Sequence, residues 1–261
     1  MKSVCFLILL FSLIPRTSSY AFEISGLQPV APNGIFSTFS AESLPKNKVS
    51  FELGLERSRE PDFYRFTLKG AYGISDSMEF GVTLPYVYKF SESVDGMEDV
   101  AIGVKHRFYD EQKIGPSIAY LLNASFDTGN KVFSTNGRFG AGLIISKRVG
   151  PFSGHMNIFY ELPGTRRLKD EISFSAGIEF AAAHNFKMLG EILARKSYDS
   201  HGYDHIEARF GYRIKTTESI YTTLGAGLDI KNRTPEYRFM ISLSYTSPQE
   251  KKEIKKIIEE E

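Results

Sequence analysis

The stretch Tyr64-Arg65-Phe66-Thr67-Leu68-Lys69-Gly70-Ala71-Tyr72-Gly73-Ile74, followed after Ser75-Asp76-Ser77 by Met78-Glu79-Phe80-Gly81-Val82-Thr83-Leu84-Pro85-Tyr86-Val87-Tyr88-Lys89-Phe90, decides the fold. In the first half Tyr64, Phe66, Leu68, Tyr72 and Ile74 alternate with Arg65, Thr67, Lys69, Ala71 and Gly73. In the second half Met78, Phe80, Val82, Leu84, Tyr86, Tyr88 and Phe90 alternate with Glu79, Gly81, Thr83 and Lys89. Period-two alternation rich in aromatic and β-branched residues is the mark of a strand with one apolar and one polar face. The two halves are a hairpin.

The same period recurs on both sides of this hairpin. It predicts twelve strands, over 49–55, 64–74, 78–90, 100–108, 118–126, 139–145, 152–160, 172–180, 186–194, 206–214, 220–230 and 237–245. The ninth is irregular, because Leu189 and Leu193 stand on the opposite parity to Phe186 and Met188. Connections after even strands are tight, such as Ser75-Asp76-Ser77, Ala183-His184-Asn185 and Thr216-Thr217-Glu218. Those after odd strands are mostly longer and polar, as in 91–98, 127–136, 161–169 and 196–204, with 110–116 and 232–235 as exceptions. An even strand number with turns at one end and loops at the other predicts an all-β, transmembrane up-and-down antiparallel β-barrel with both termini in the periplasm.

Alternation does not say which face points inward. A small soluble barrel and an outer-membrane barrel share the period and reverse the faces. Size separates them, since side chains fill a barrel of roughly eight strands while twelve would enclose an apolar lumen too wide to pack. The polar face is therefore expected inside, with Arg65, Lys69, Glu79, Lys105, Arg107, Arg138, Glu179, Glu191, Arg209, Arg213 and Arg238 as lumen-lining charges. The apolar face then meets lipid. A soluble two-sheet sandwich is the competing all-β arrangement.

The averages of the chain hide this sorting. Its 261 residues are 42% hydrophobic and 24% charged, with a formal charge of +1, which excludes wholesale disorder and gives no basic field for nucleic acid. Lys2, the apolar run 4–14 and Ser19-Tyr20-Ala21 have the layout of a secretory signal peptide cleaved after Ala21. Cleavage would take Lys2 and Arg16 from the 32 basic residues, leaving 30 against 31 acids, and would remove Cys5, the single cysteine. The expected organisation is a signal peptide over 1–21, an N-terminal periplasmic segment over 22–47, a barrel over 48–246 and a charged C-terminal tail over 247–261. In the tail, Ile254, Ile257 and Ile258 fall at helical spacing, which suggests a short amphipathic helix that plugs the periplasmic mouth, contacts a periplasmic partner or is merely solvated, the last being the simplest account of so short a helix.

Several segments resemble one family. Ala71 to Tyr86, Gly96-Met97-Glu98-Asp99-Val100-Ala101-Ile102-Gly103-Val104-Lys105, Phe126-Asp127-Thr128-Gly129 and Ser43-Leu44-Pro45-Lys46 are similar to the family labelled for the meta-pathway of phenol degradation. Glu98 stands where members often have Gly, and Asp127 where they often have Pro. The resemblance spans about residues 40 to 245 and rests on turns rather than catalytic signatures. It implies a barrel-shaped outer-membrane transporter in a Gram-negative bacterium, and its name implies aromatic compounds.

Chemistry beyond transport has two candidate carriers. The loop His201-Gly202-Tyr203-Asp204-His205 offers two imidazoles and a carboxylate to a metal, with an exposed polar loop as the simpler account. Ser153, His155 and Asn157 share one strand face, the residue types of an outer-membrane lipid hydrolase, although alternation produces such trios by chance. No catalytic residue, cofactor or resident metal is expected. The chain is read as a non-enzymatic channel for small, hydrophobic or aromatic solutes, surrounded by outer-membrane lipid and with no nucleic-acid partner. The alternatives are a non-conducting structural or adhesion barrel and the hydrolase.

Overall fold

The computed structural model describes residues 26–59, 61–90, 94–165, 169–197, 205–231 and 237–248. The expected signal peptide, and the tail beyond Pro248, lie outside them. Thirteen strands are formed: β1 (Val49–Arg59), β2 (Phe63–Ser75), β3 (Met78–Phe90), β4 (Val94–Met97), β5 (Val100–Tyr109), β6 (Ser117–Phe126), β7 (Arg138–Val149), β8 (Phe152–Pro163), β9 (Glu171–Ala183), β10 (Phe186–Ser197), β11 (His205–Lys215), β12 (Ile220–Asp229) and β13 (Tyr237–Thr246). Strands adjacent in the chain pair antiparallel, except that β4 and β5 both pair with β3 and not with each other, and β1 pairs with β13 from Ser50↔Thr246 to Arg59↔Tyr237. The ring is closed.

β4 and β5 share one stave. The turn-side half of β3 pairs with β5 and its loop-side half with β4, so the thirteen strands make twelve staves. The interruption falls at Glu98 and Asp99, opposite Pro85, whose carbonyl accepts the Glu98 amide at 3.0 Å. Proline has no N–H to return to the ladder, so the pairing breaks there. The strand period over 100–108 therefore extends, past a two-residue break, into what the sequence reads as loop.

The outer surface carries the apolar parity. Phe51, Leu53, Phe66, Leu68, Phe210, Phe239, Ile241 and Leu243 are all exposed. On a closed antiparallel ring this is a lipid-facing belt, since water-soluble proteins rarely display contiguous apolar surface of this extent. No helix among the described residues is long and apolar enough to cross a membrane. The turns linking β2 to β3, β5 to β6, β7 to β8, β9 to β10 and β11 to β12 lie at the end where β1 starts and β13 finishes. Gly150, in the turn after β7, has φ +58°, a left-handed conformation that glycine adopts without Cβ strain.

Two of the segments that carry the family resemblance, Gly96 to Lys105 and Phe126 to Gly129, meet at the opposite, loop end, while Ser43 to Lys46 lies against the β2–β3 turn. Asp99 accepts bonds from the Gly129 amide (3.1 Å), the Thr135 amide (2.7 Å) and the Thr135 hydroxyl (2.7 Å). Thr128 Oγ1 accepts the Val100 amide, and the Asn130 amide bonds Met97 O. These motifs clamp the 127–137 loop onto the β4–β5 break. Beneath it Phe133 packs with Phe63 and Val87, all fully buried.

Candidate functional site

The core of the molecule is the inside of the barrel, and residues 26–45 occupy it, with Lys46 and Asn47 exposed at the turn-end rim. The sequence predicts a separate periplasmic segment over 22–47; residues 26–45 of it instead run within the ring. A twelve-stave lumen is too wide for wall side chains alone to fill, and this segment supplies the missing volume. From the turn end it passes β3 and β5, then β7 and β8, then β10 and β11, and returns along β1 and β2.

Wall side chains satisfy its backbone. Glu79 accepts the Leu44 amide (2.8 Å), Glu52 the Ala31 amide (3.0 Å), and Glu191 both the Ser37 (2.9 Å) and Thr38 (2.8 Å) amides. Lys105 donates to Ser40 O (3.1 Å) and Glu42 O (2.6 Å), Arg213 to Gly34 O (2.8 Å), and Lys69 to Pro29 O (3.3 Å). Asn157 both accepts from Phe39 N (2.7 Å) and donates to Phe39 O (2.9 Å), closing a two-bond clamp. A buried segment without its own ladder must find such partners, because each unpaired peptide group would cost about 1–3 kcal/mol.

Apolar side chains of the segment sit against gaps in the wall. Leu27, Phe39 and Ala41 cluster with inward-facing Ala101, Ala119, Leu121 and Ile144. Leu27 lies over Gly81 and Gly103, Ile35 over Gly177, and Phe36 over Gly211 and Gly225, where a Cβ on any of these glycines would meet it. The irregularity of β10 has the same origin: Leu189 and Leu193 are buried inside while Met188 and Ile192 face outward. An apolar residue on the lumen parity is stable where the plug excludes water.

All eleven lumen charges named from the sequence have inward-facing positions, and every one is ion-paired. Arg65 pairs with Glu98 (2.6 Å) and Glu56 (3.1 Å), and Lys69 with Glu52 (2.8 Å). Lys105 pairs with Glu79 (3.3 Å), Arg107 with Glu42 (2.5 Å) and Arg138 with Glu161 (2.6 Å). Glu179 holds Lys187 (2.6 Å) and Arg213 (3.4 Å), while Arg209 bridges Glu207 (2.7 Å) and Glu191 (3.3 Å). Arg238 reaches Glu56 (3.4 Å) and Glu207 (3.7 Å). Four of these pairs, Glu52–Lys69, Glu56–Arg65, Glu79–Lys105 and Glu191–Arg209, join residues directly opposite on adjacent strands.

The partners Glu52, Glu56, Glu98, Glu161 and Glu207 are absent from the sequence-based set. Parity alone marks Glu52 and Glu56, which alternate with Phe51, Leu53 and Leu55, and Glu207, two residues before Arg209. Nothing local marks Glu98, whose inward turn depends on the strand break, nor the role of Asn157 as a backbone clamp.

The other candidates are described only in part. His201 and Asp204 of the metal loop lie outside the described residues. His205 is on β11, with Nδ1 3.1 Å from Asp229 Oδ2 and Nε2 3.1 Å from Glu207 Oε2, so both ring nitrogens are engaged by separate carboxylates. Among the described residues no group of three or more such side chains is placed to hold a metal ion. In the hydrolase trio, His155 Nδ1 meets Ser146 Oγ on β7 at 2.8 Å rather than Ser153, and Asn157 is committed to Phe39.

The chain matches no protein-family model and no curated protein sequence. Solved outer-membrane barrels share its fold. The NanC porin aligns with a TM-score of 0.61 at 10% identity, over 75% of this chain and 98% of that one. A KdgM porin in complex with disordered oligogalacturonate aligns at 0.59 and 10% identity, over 75% and 98%. An outer membrane channel from Pseudomonas putida F1 aligns at 0.59 and 10% identity, over 79% and 98%. The closed ring, its apolar belt and these likenesses make the chain an outer-membrane β-barrel.

Proposed function

We propose that the protein is a channel for small molecules whose lumen is closed, in the state described, by residues 26–45. One observation carries this: the segment that fills the lumen is not a stave. Among the described residues it is held by side-chain hydrogen bonds, the Arg107–Glu42 ion pair and apolar packing over glycine gaps, with a backbone bond to the wall at its end from Asn47 N to Gly73 O, so its withdrawal would leave the twelve-stave wall and its ladder whole. The passage left behind would be lined by charge of both signs, a wall that water tolerates and that orients polar solutes. Porins and a channel among barrels of the same fold agree with this reading. The resemblance to the phenol-degradation family supports hydrophobic or aromatic compounds as the solute class.

A non-conducting structural barrel is the second reading, and the mutual pairing of the lumen charges favours it. Planar-bilayer recording separates the two. The intact protein is expected to conduct weakly, and a variant lacking residues 26–44 to conduct steadily and at several times that level. Silence from a correctly folded deletion variant would overturn the channel. Liposome uptake of an aromatic and an aliphatic solute by the same variant then tests the solute class.

A further inference from the structure

At the turn end of the barrel, a cavity of about 290 Å³ lies between the plug and the mouth. Its floor is Pro32, Asn33, Ser40 and Glu42 of the plug, and its rim comes from the strand ends around the turns after β7, β9 and β11. The charges around it do not cancel. Of its three carboxylates, Glu179 is shared by Lys187 and Arg213, Glu111 is held by Lys147 at 3.2 Å, and Glu42 is drawn to Arg107, outside the cavity. Arg148 and Lys215 also line it, and neither side chain has a carboxylate partner among the described residues, the Glu111 carboxylate accepting only the backbone amide of Arg148 at 3.0 Å. The wall thus carries two positive side chains without carboxylate partners in a half-open recess at the mouth, where the surrounding protein focuses their field.

We propose that this mouth cavity binds a small organic dicarboxylate, with Arg148 and Lys215 as its two counter-charges. The volume suits such a molecule, lying near the lower limit of small-ligand sites at about 300 Å³. The ring of Tyr221 and Pro32 provide apolar wall beside the cations, and the Ser153 hydroxyl a further hydrogen-bonding group. A singly charged or neutral solute would leave one or both cations without a partner. A role for the site in loading solute into the lumen rests on the channel reading; binding itself does not.

Isothermal titration calorimetry of the full-length protein in detergent, at low ionic strength, tests the site with succinate as probe and succinamide as its uncharged counterpart. Saturable succinate binding at one site is expected, with no heat from succinamide. The double variant Arg148→Gln/Lys215→Gln should bind about tenfold more weakly, from roughly 1 kcal/mol or less for each partly exposed charge contact. Lys131→Gln, at the loop end, should leave affinity unchanged. Both cations lie at the mouth rather than in the packed interior, and retained heat-modifiable gel migration verifies folding of the variant. Absent succinate binding, equal binding of succinamide, or an unaltered double variant would each overturn the site. If the plug-deleted barrel conducts while succinate does not bind, the site alone fails; if succinate binds and neither form conducts, the channel reading alone fails.

Discussion

At the scale of single residues, the lumen is a set of charges that hold two things at once. Glu191 is the clearest case, since it accepts two plug amides and pairs with Arg209. Glu191→Ala removes all three interactions and leaves buried donors unmatched. It should lower folding stability by about 3–5 kcal/mol, read as an earlier heat-modification midpoint on gels, with Glu191→Gln in between. Gly225 tests the apolar side of the same arrangement. Gly225→Leu places a side chain where the Phe36 ring sits, so the plug should shift while the ladder survives. Chymotrypsin would then cut at Phe36 or Phe39 in the variant and spare the parent protein. Most inward charges are legible from parity; Asn157 is not, because its value lies in a backbone 118 positions away in the chain.

At the scale of elements, the strands follow their local pattern and the departures have local causes. Pro85 breaks the stave between β4 and β5, and the break turns Glu98 and Asp99 inward. Asp99 then fastens the 127–137 loop with three hydrogen bonds. Asp99→Ala should release that loop without opening the barrel. Trypsin should cleave at exposed Lys131 in the variant, while the heat-modification midpoint stays where it was. The two halves of this clamp are visible in the sequence as separate turn motifs. That they bind each other is not, since their meeting depends on the order of staves around the ring.

At the scale of the whole molecule, the arrangement is a lipid-facing belt, a twelve-stave wall and a chain segment stored inside. Leu53 lies mid-strand in the belt, beside Leu243 and Leu68. Leu53→Arg should cost about 2–4 kcal/mol if this depth is the bilayer centre, measured by urea titration of the barrel folded into liposomes. A result near zero would move the membrane away from this belt. The sequence by itself determined the number of staves, the faces, the turn end and most of the inward charges, because a strand's side chains alternate by geometry and each one reports its own environment. Tertiary structure alone decided that residues 26–45 lie inside the ring, that every named charge is paired, and that two cations at the mouth are left over. Those facts depend on which residues closure brings across the ring, and no local period carries that information.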